Sequence, residues 1–128
     1  MEAVSEAQLS EGGLQGDAHF SPQSVRQLLL VDAEALDDLE LSAGEIRENL
    51  TLRGVGVMQL PSGTTLQVGE AEVVITKECT PCRQMEGVRP GLMTALSGRR
   101  GMYARVARAG TVRRGDAVRV VQAEPLLR

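Results

Sequence analysis

The two cysteines of the chain, Cys79 and Cys82, stand three positions apart and are separated by a threonine and a proline. Proline cannot donate a hydrogen bond to a sheet, so this segment is expected to leave the preceding strand as an exposed turn. The positive charges of Lys77 and Arg83 nearby favour the thiolate, which is the nucleophilic form of cysteine. The pattern therefore indicates one nucleophilic or sulfur-carrying thiol, with the other cysteine as a second thiol.

Three other interpretations of the cysteine pair stay open. A four-ligand zinc site would need a second cysteine pair, and the chain offers no further cysteine and one histidine, His19. A thioredoxin-type dithiol has this spacing but opens a helix within a βαβ unit. The ordinary structural role would be two small buried hydrophobic residues, since cysteine is often found in cores.

Hydrophobic periodicity indicates which elements position the cysteines. In residues 64–77, apolar and polar side chains alternate on both sides of a two-residue turn, Gly69-Glu70, which predicts a β-hairpin that leads to the cysteine segment. The other predicted elements are a strand over 26–31, a helix capped by Asp32 and running to Leu39, a helical turn opened by Ser42 and Glu45, a helix bracketed by Pro90 and Gly98, and strands over 102–107 and 118–120. Helices do not alternate with strands as βαβ units require, so the fold class is mostly β, a barrel or sandwich with a few short helices inserted.

Length and composition bound the class of protein. With 128 residues, of which 42% are hydrophobic and 24% charged, residues 1–128 are expected to form a single domain. Phe20 and Tyr103 are the only aromatic residues, which argues against a nucleic-acid-binding module built on base stacking. No apolar run approaches the roughly 20 residues of a membrane span, and the first residues are acidic where a signal peptide would be basic, so a cytoplasmic protein is expected.

Charge is divided unevenly along the chain. Residues 1–50 hold eleven acidic and two basic side chains, whereas residues 51–128 hold six acidic and twelve basic ones. All the basic residues except Lys77 are arginines, whose planar forks bind phosphate or carboxylate through two contacts. A GC-rich genome would give the same excess of arginine, so the position of each arginine has to decide its role.

Seven segments, taken in order along the chain, resemble the motifs of a MOSC domain, which is found at the C-terminus of molybdenum cofactor sulfurases and in many small bacterial proteins. The segments are GLQGDAH (13–19), RQLLL (26–30), RENLT (47–51), LPSGT (60–64), KECTPC (77–82), RGMYARV (100–106) and GTVRRGD (110–116). Each segment is short, but they occur in the family's order and are distributed from Gly13 to Asp116. The resemblance implies a MOSC-type β-barrel.

The resemblance also implies contact with the molybdenum cofactor, a pterin that carries a phosphate and a dithiolene-bound metal. The Thr-Pro-Cys match assigns to Cys82 the family cysteine, which bears a persulfide or ligates the metal, and makes Cys79 its auxiliary. Some of the arginines in the matched region are expected to form an anion site near the cysteines. The complete set of cofactor-binding residues that the resemblance implies is His19, Arg26, Arg47, Asn49, Arg99, Arg100 and Arg105.

A sulfur-carrier function follows from the resemblance. A thiolate attacks a donor persulfide, holds the sulfur atom and passes it on, and Cys79 could resolve a persulfide on Cys82 as a disulfide with release of sulfide. The implied partners are a cysteine desulfurase or another sulfur donor, and proteins of molybdenum cofactor biosynthesis or molybdoenzymes; pyridoxal phosphate would enter only through a separate desulfurase. The alternatives are a non-catalytic cofactor-binding module and a molybdenum-dependent reductase of N-hydroxylated compounds.

The chain departs from the family pattern at its N-terminus. Family members begin with a strand and a basic segment ahead of the Gly-Asp-x-His turn, whereas an acidic segment of twelve residues precedes Gly13. We expect the family's first strand to be lacking or short, which would leave a sheet edge that a second copy of the chain could pair with as a homodimer.

Overall fold

The structure is a computed structural model, and it describes residues 1–10, 13–14 and 26–122. Within these residues the chain forms ten strands, three short α-helices and a 3-10 helix. The strands are β1 (Glu2–Ala3), β2 (Ala7–Ser10), β3 (Gly13–Leu14), β4 (Leu28–Asp32), β5 (Leu50–Arg53), β6 (Thr65–Val68), β7 (Ala71–Glu78), β8 (Met102–Arg108), β9 (Gly110–Val112) and β10 (Val118–Gln122). The helices are α1 (Ala33–Asp38), α2 (Gln84–Val88) and α3 (Leu92–Ala95), and the 3-10 helix is Val57–Gln59.

Seven of the strands form one nearly closed sheet, in the order β1-β5-β4-β8-β7-β6-β10. Its two ends approach each other, because Glu2 of β1 bridges to Ala117 and the backbone N–H of Val118 donates to the carbonyl of Met1 over 3.1 Å. The strands β3, β2 and β9 form a second, three-stranded sheet. The mostly β, barrel-like fold with a few inserted helices is therefore confirmed.

The hairpin predicted over 64–77 is confirmed by β6 and β7, which pair antiparallel up to Val68 and Ala71. Gly69 opens the turn with a φ of +56°, a conformation that side-chain-bearing residues rarely adopt. A Cβ atom at this glycine would also collide with the carboxylate of Asp116. The turn thus fixes the register of β7, the strand that ends at the first cysteine.

The sheet carries a hydrophobic core on each face. The barrel core fills the inside and includes Leu28, Leu30, Leu50, Leu52, Leu66, Val73, Ile75 and Ala104. The outer core lies between the sheet and the helices and consists of Leu29, Val31, Leu36, Leu41, Ile46, Cys79, Met85, Leu92 and Leu96. Strand β4 supplies residues alternately to both cores, which explains why it is an unbroken apolar run.

The helix expected after Asp32 is present as α1, but the predicted cap is wrong. The side chain of Asp32 makes no hydrogen bond at the start of α1. Its Oδ1 instead accepts from the backbone N–H of Val57 over 2.8 Å, at the start of the 3-10 helix. That helix start also presents free amides, and the fold places it within reach of the carboxylate.

The helix predicted between Pro90 and Gly98 is also corrected. Only α3 lies within those limits, and Gly91, rather than Pro90, directly precedes its first residue. A second helix, α2, ends just before Pro90, and its Glu86 accepts from the backbone N–H groups of Gly91 and Met93. These two bonds satisfy free amides at the start of α3, so the chain turns between two short helices.

The N-terminal part of the chain takes part in the fold. Two short strands, β1 and β2, occupy the segment in which the family's first strand was expected to be lacking or short. Strand β1 pairs with β5 and β2 pairs with β9, so they cover this side of the sheet. The predicted helical turn at Ser42 is a turn in which its N–H donates to Glu45 over 2.8 Å. No helix of the described residues has the length and apolar character of a membrane span.

Candidate functional site

The two cysteines lie in different environments. Cys79 directly follows β7 and is only 8% exposed, and its backbone N–H donates to the carbonyl of Gly101 over 2.9 Å. Cys82 is exposed just ahead of α2, where its carbonyl accepts from the backbone N–H of Met85 over 3.0 Å. Both thiols are free. One cysteine is therefore held in the outer core and the other is presented to solvent three residues later.

A shift of register in β7 directs Cys79 toward the outer core. Ile75 pairs with Ala104 and Lys77 pairs with Tyr103 on β8, so Thr76 is an additional residue on β7. Such a bulge changes which side chains face each side of a sheet. After it, Lys77 lies opposite Tyr103, and Cys79 reaches the outer core against which Tyr103 packs.

Cys79 and Tyr103 form a side-chain pair. The sulfur of Cys79 lies 3.4 Å from the hydroxyl oxygen of Tyr103, within hydrogen-bond distance for two groups that can each donate and accept. This hydrogen bond, followed by partial burial, raises the pKa of Tyr103 above its ordinary value of 10.0. The positive charges of Arg26 and Arg100 act in the opposite direction. The contact with Cys79 therefore favours the protonated form of Tyr103, whereas the two arginines favour its ionised form.

Arg26 lies over the ring of Tyr103. Its guanidinium carbon is 5.5 Å from the ring centroid, which is a cation–π distance. The side chain of Arg26 is exposed, and Arg26 lies two positions before the first residue of β4. Arg26 thus places a positive charge directly over Tyr103.

Arg100 is a buried cation next to this pair. It is 6% exposed, and within the described residues its Nε and Nη1 atoms have no hydrogen-bond partner. A buried charge without a partner is costly, and an anionic group is what would satisfy it. Arg100 directly precedes Gly101, whose carbonyl accepts from the backbone N–H of Cys79, and the positive charge of Arg100 acts to lower the pKa of Tyr103.

The Arg47–Asn49 segment is tied to the same region through β4. The backbone N–H of Asn49 donates to the carbonyl of Leu29 over 2.9 Å, and the N–H of Leu29 donates to Asn49 Oδ1 over 2.7 Å. Leu29 lies opposite Tyr103 in the β4–β8 pairing. Arg47 is exposed and has a φ of +65°, a strained conformation for a residue other than glycine that recurs at functional sites.

The remaining site residues predicted from sequence are placed differently. The guanidinium of Arg99 forms an ion pair with Asp38 over 2.8 Å, so it already has an anionic partner. Arg105 is exposed on β8, opposite Val74. His19 lies outside the described residues. Tyr103 and Leu29 thus link four of the predicted site residues, which are Cys79, Arg26, Asn49 and Arg100. Arg99 instead pairs with Asp38 of α1.

Tyr103 is a site residue that the sequence reasoning missed. From the sequence it is named only as one of two aromatic residues, and no role is assigned to it although it is the single tyrosine of the chain. Its contact with Cys79 joins residues 24 positions apart and depends on the register shift at Thr76. The sequence signal that could have drawn attention to it is its position in one of the recognised motifs, RGMYARV (100–106).

Fold and site together define a barrel domain with a thiol pair at the end of one strand and arginines beside it. The family model of the MOSC domain matches residues 15–119, and the chain belongs to this family. The family is associated with binding of the molybdenum cofactor. No curated protein matches the chain.

Solved structures share the fold. The chain is similar to YiiM from Geobacillus stearothermophilus, with 21% identity and a TM-score of 0.74 over 93% of this chain and 62% of that one. It is similar to YiiM from Escherichia coli, with 21% identity and a TM-score of 0.73 over 94% of this chain and 64% of that one. YuaD from Bacillus subtilis matches with 21% identity and a TM-score of 0.70 over 88% of this chain and 82% of that one. The chain therefore spans less than two thirds of the length of either YiiM protein.

The residues of the site fit an anionic cofactor. Buried Arg100 has unpartnered donors within the described residues, and Arg26, Arg47 and Arg105 present exposed guanidinium groups. Arginine is suited to phosphate, which a pterin cofactor of this family carries. Within the described part of the chain, no group of three or more histidine, cysteine, aspartate or glutamate side chains could hold a metal ion.

Proposed function

We propose that the chain is a sulfur-carrier domain that works with the molybdenum cofactor, and that Cys82 is the thiol that bears the sulfur. The observation that carries this proposal is the exposure of Cys82 as a free thiol next to a second, buried thiol. An exposed thiol can meet a donor protein, whereas a thiol buried in a core cannot. Lys77 and Arg83, both exposed in the same segment, carry positive charges beside the cysteines in the chain.

The sulfur transfer is an ordinary exchange reaction. The thiolate of Cys82 attacks the outer sulfur of a donor persulfide, and the sulfur–sulfur bond of the donor breaks. The donor leaves as a thiolate, and Cys82 keeps the sulfur as a persulfide with the donor's proton. No oxidant is needed, because the sulfur that moves is already at the oxidation level of a persulfide.

The cofactor would be held by the basic side chains of the site. Arg100, Arg26 and Arg47 are the candidates for its phosphate, with Arg105 farther along β8, and Asn49 keeps the Arg47 segment against β4. When bound, the cofactor would supply the metal centre to which sulfur is delivered or which Cys82 ligates. We propose a cysteine desulfurase or another persulfide protein as donor, and proteins of cofactor biosynthesis or molybdoenzymes as recipients, in the cytoplasm.

Sulfur loading of the full chain tests this proposal. The wild type, Cys82→Ser and Cys79→Ser are each incubated with a small-molecule persulfide, and the gain of one sulfur atom is measured by intact-protein mass spectrometry. We expect Cys82→Ser to lose the loading and Cys79→Ser, the matched thiol-to-hydroxyl control, to keep it. Loading that survives in Cys82→Ser and disappears in Cys79→Ser would contradict the assignment of Cys82.

A second candidate function is a cofactor-binding module without sulfur chemistry. The unpartnered donors of buried Arg100 favour it, because they call for an anionic ligand and involve no thiol. Two results together would favour the binding module. Neither cysteine would take up sulfur, and the chain expressed in a cofactor-producing host would retain pterin, whereas Arg100→Met would not. Stoichiometric molybdenum together with turnover of an N-hydroxylated compound would instead indicate the reductase.

A further inference from the structure

We propose that Tyr103 is a positioning residue for the Cys79 thiol, whose sulfur its hydroxyl holds in place beside β8. The role in sulfur release given below rests on the proposed function of Cys82. The inference about the environment of Cys79 does not rest on that function, because it is drawn only from the residues that contact Cys79 and Tyr103.

Cys79 is fixed from two directions. Its backbone N–H donates to the carbonyl of Gly101, and its sulfur lies 3.4 Å from the Tyr103 hydroxyl, so main chain and side chain are both anchored on β8 or immediately before it. Tyr103 is itself placed by its neighbours, with Lys77 opposite on β7 and Arg26 over its ring. The hydroxyl therefore meets the sulfur in a defined direction.

Charged groups of both signs flank this pair. Arg26, from the segment before β4, lies over the ring; Lys77 of β7 lies opposite; Arg100 precedes β8, and its charge acts on Tyr103. The exposed Glu78 directly precedes Cys79. A hydroxyl that donates to a charged sulfur makes a stronger hydrogen bond than it does to a neutral one.

This arrangement suits a resolving thiol better than a passive core residue. A cysteine that only fills space needs no hydroxyl partner, whereas the sulfur of Cys79 lies 3.4 Å from the hydroxyl oxygen of Tyr103. The geometry thus couples Tyr103 and Cys79.

The step that a thiolate on Cys79 would carry out is sulfur release. The sulfur of Cys79 attacks the inner sulfur of the Cys82 persulfide, and a disulfide forms between the two cysteines. The bond to the outer sulfur breaks, and that sulfur leaves as hydrosulfide with its proton. The persulfide is the oxidant, so both electrons and atoms are balanced within the chain and its cargo.

The first test isolates Cys79 in the Cys82→Ser background, where it is the sole thiol. Its alkylation rate is measured across pH with and without Tyr103→Phe, which keeps the ring and removes the hydroxyl. We expect the rate at neutral pH to fall about three- to ten-fold in Tyr103→Phe and to recover at high pH, since one hydrogen bond to the thiolate is lost. A purely structural role for the hydroxyl would change the rate equally at every pH, and that result would overturn the proposal.

The second test uses Tyr103 as its own reporter. It is the only tyrosine and the chain has no tryptophan, so the ultraviolet absorbance of tyrosinate reports its ionisation alone. Cys79→Ala should lower the pKa of Tyr103 toward its ordinary value, and Arg100→Met should raise it further. Arg99→Met is the matched control, because Arg99 is paired with Asp38, and it should leave the titration unchanged. This experiment also decides the matter if Tyr103→Phe does not fold.

An unchanged tyrosine titration in both Cys79→Ala and Arg100→Met would overturn the proposal. The outcome is separate from that of sulfur loading, because no persulfide is present in either titration. If both tests succeed, sulfide release from the loaded wild type should be faster than from loaded Tyr103→Phe. Release at the same rate would contradict the role of Tyr103 in this step.

Discussion

Asp32 directly precedes the first residue of α1, yet its carboxylate accepts from the backbone N–H of Val57, 25 residues farther along the chain. The bond closes the connection between the end of β4 and the 3-10 helix that follows β5. Burial raises the pKa of Asp32 above its ordinary value of 3.8, although hydrogen bonds from Val57, Met58 and Gly56 act in the opposite direction. The fold thus uses the Asp32 oxygen as a hydrogen-bond acceptor, whereas burial disfavours the negative charge of the carboxylate.

Asp32→Asn should therefore separate the acceptor from the charge. Because the folded-state pKa of Asp32 is raised, its contribution to stability is full below about pH 3.8 and is lost as pH rises through the folded-state value. The asparagine variant keeps the acceptor and lacks this loss, so its free energy of unfolding relative to wild type should improve as the pH rises above 3.8. Denaturant unfolding at several pH values measures it. Asp32→Ala, which removes the acceptor, should lose about 1–3 kcal/mol throughout.

Gly101→Ala should destabilise the strand on which the site depends. Gly101 has a φ of +138°, and a Cβ atom there would lie 2.6 Å from the carbonyl oxygen of Leu30. We expect a loss of more than about 2 kcal/mol by thermal or denaturant unfolding. Gly87→Ala is the control, because Gly87 lies in α2 with open space around it, and this change should stabilise the chain by up to about 1 kcal/mol. Equal effects of the two substitutions would contradict the prediction.

Asn49→Ala should cost stability even in the absence of any cofactor. It removes the oxygen that accepts from the N–H of Leu29 and leaves that group without its partner inside the sheet. About 1–3 kcal/mol should be lost. Asn49→Asp keeps an acceptor at the same position and should retain most of the stability. If both variants unfold like the wild type, the structural part of the role of Asn49 is wrong.

Acid should loosen the turn between α2 and α3. Hydrogen bonds from the N–H groups of Gly91 and Met93 lower the pKa of Glu86 below its ordinary value of 4.5. The stabilisation is therefore present above pH 4.5 and is lost as pH falls through the folded-state value. Hydrogen exchange of the Gly91 and Met93 amides should accelerate in this window relative to neighbouring amides. In Glu86→Gln that additional acceleration should be absent.

Local patterns in the sequence were sufficient for much of the fold. The β6–β7 hairpin was predictable because alternation and a glycine-first turn act over a few residues, and β4 was predictable as an apolar run. The five-residue helix α2 was missed because it contains Gly87 and has no apolar repeat long enough to be seen. The partner of Asp32 was missed because a free amide 25 residues away competes equally well for a carboxylate.

The candidate site shows the same division. Cys79 and Cys82 could be singled out by residue type and spacing, and the arginines through the resemblance to the family. What could not be foreseen is which cysteine is buried, since that depends on the extra residue at Thr76 and on the register of β7 against β8. For the same reason the contact of Tyr103 with Cys79, and the pairing of Arg99 with Asp38, required the folded chain.

Because β4 contributes Leu28 and Leu30 to one core and Leu29 and Val31 to the other, the two cores cannot melt independently. The barrel and the helical layer should unfold in a single cooperative transition. Cys79 is buried within that unit and Cys82 is exposed outside it. A bulky thiol reagent would therefore modify Cys82 of the native protein before Cys79, and only a small reagent would reach Cys79 without unfolding.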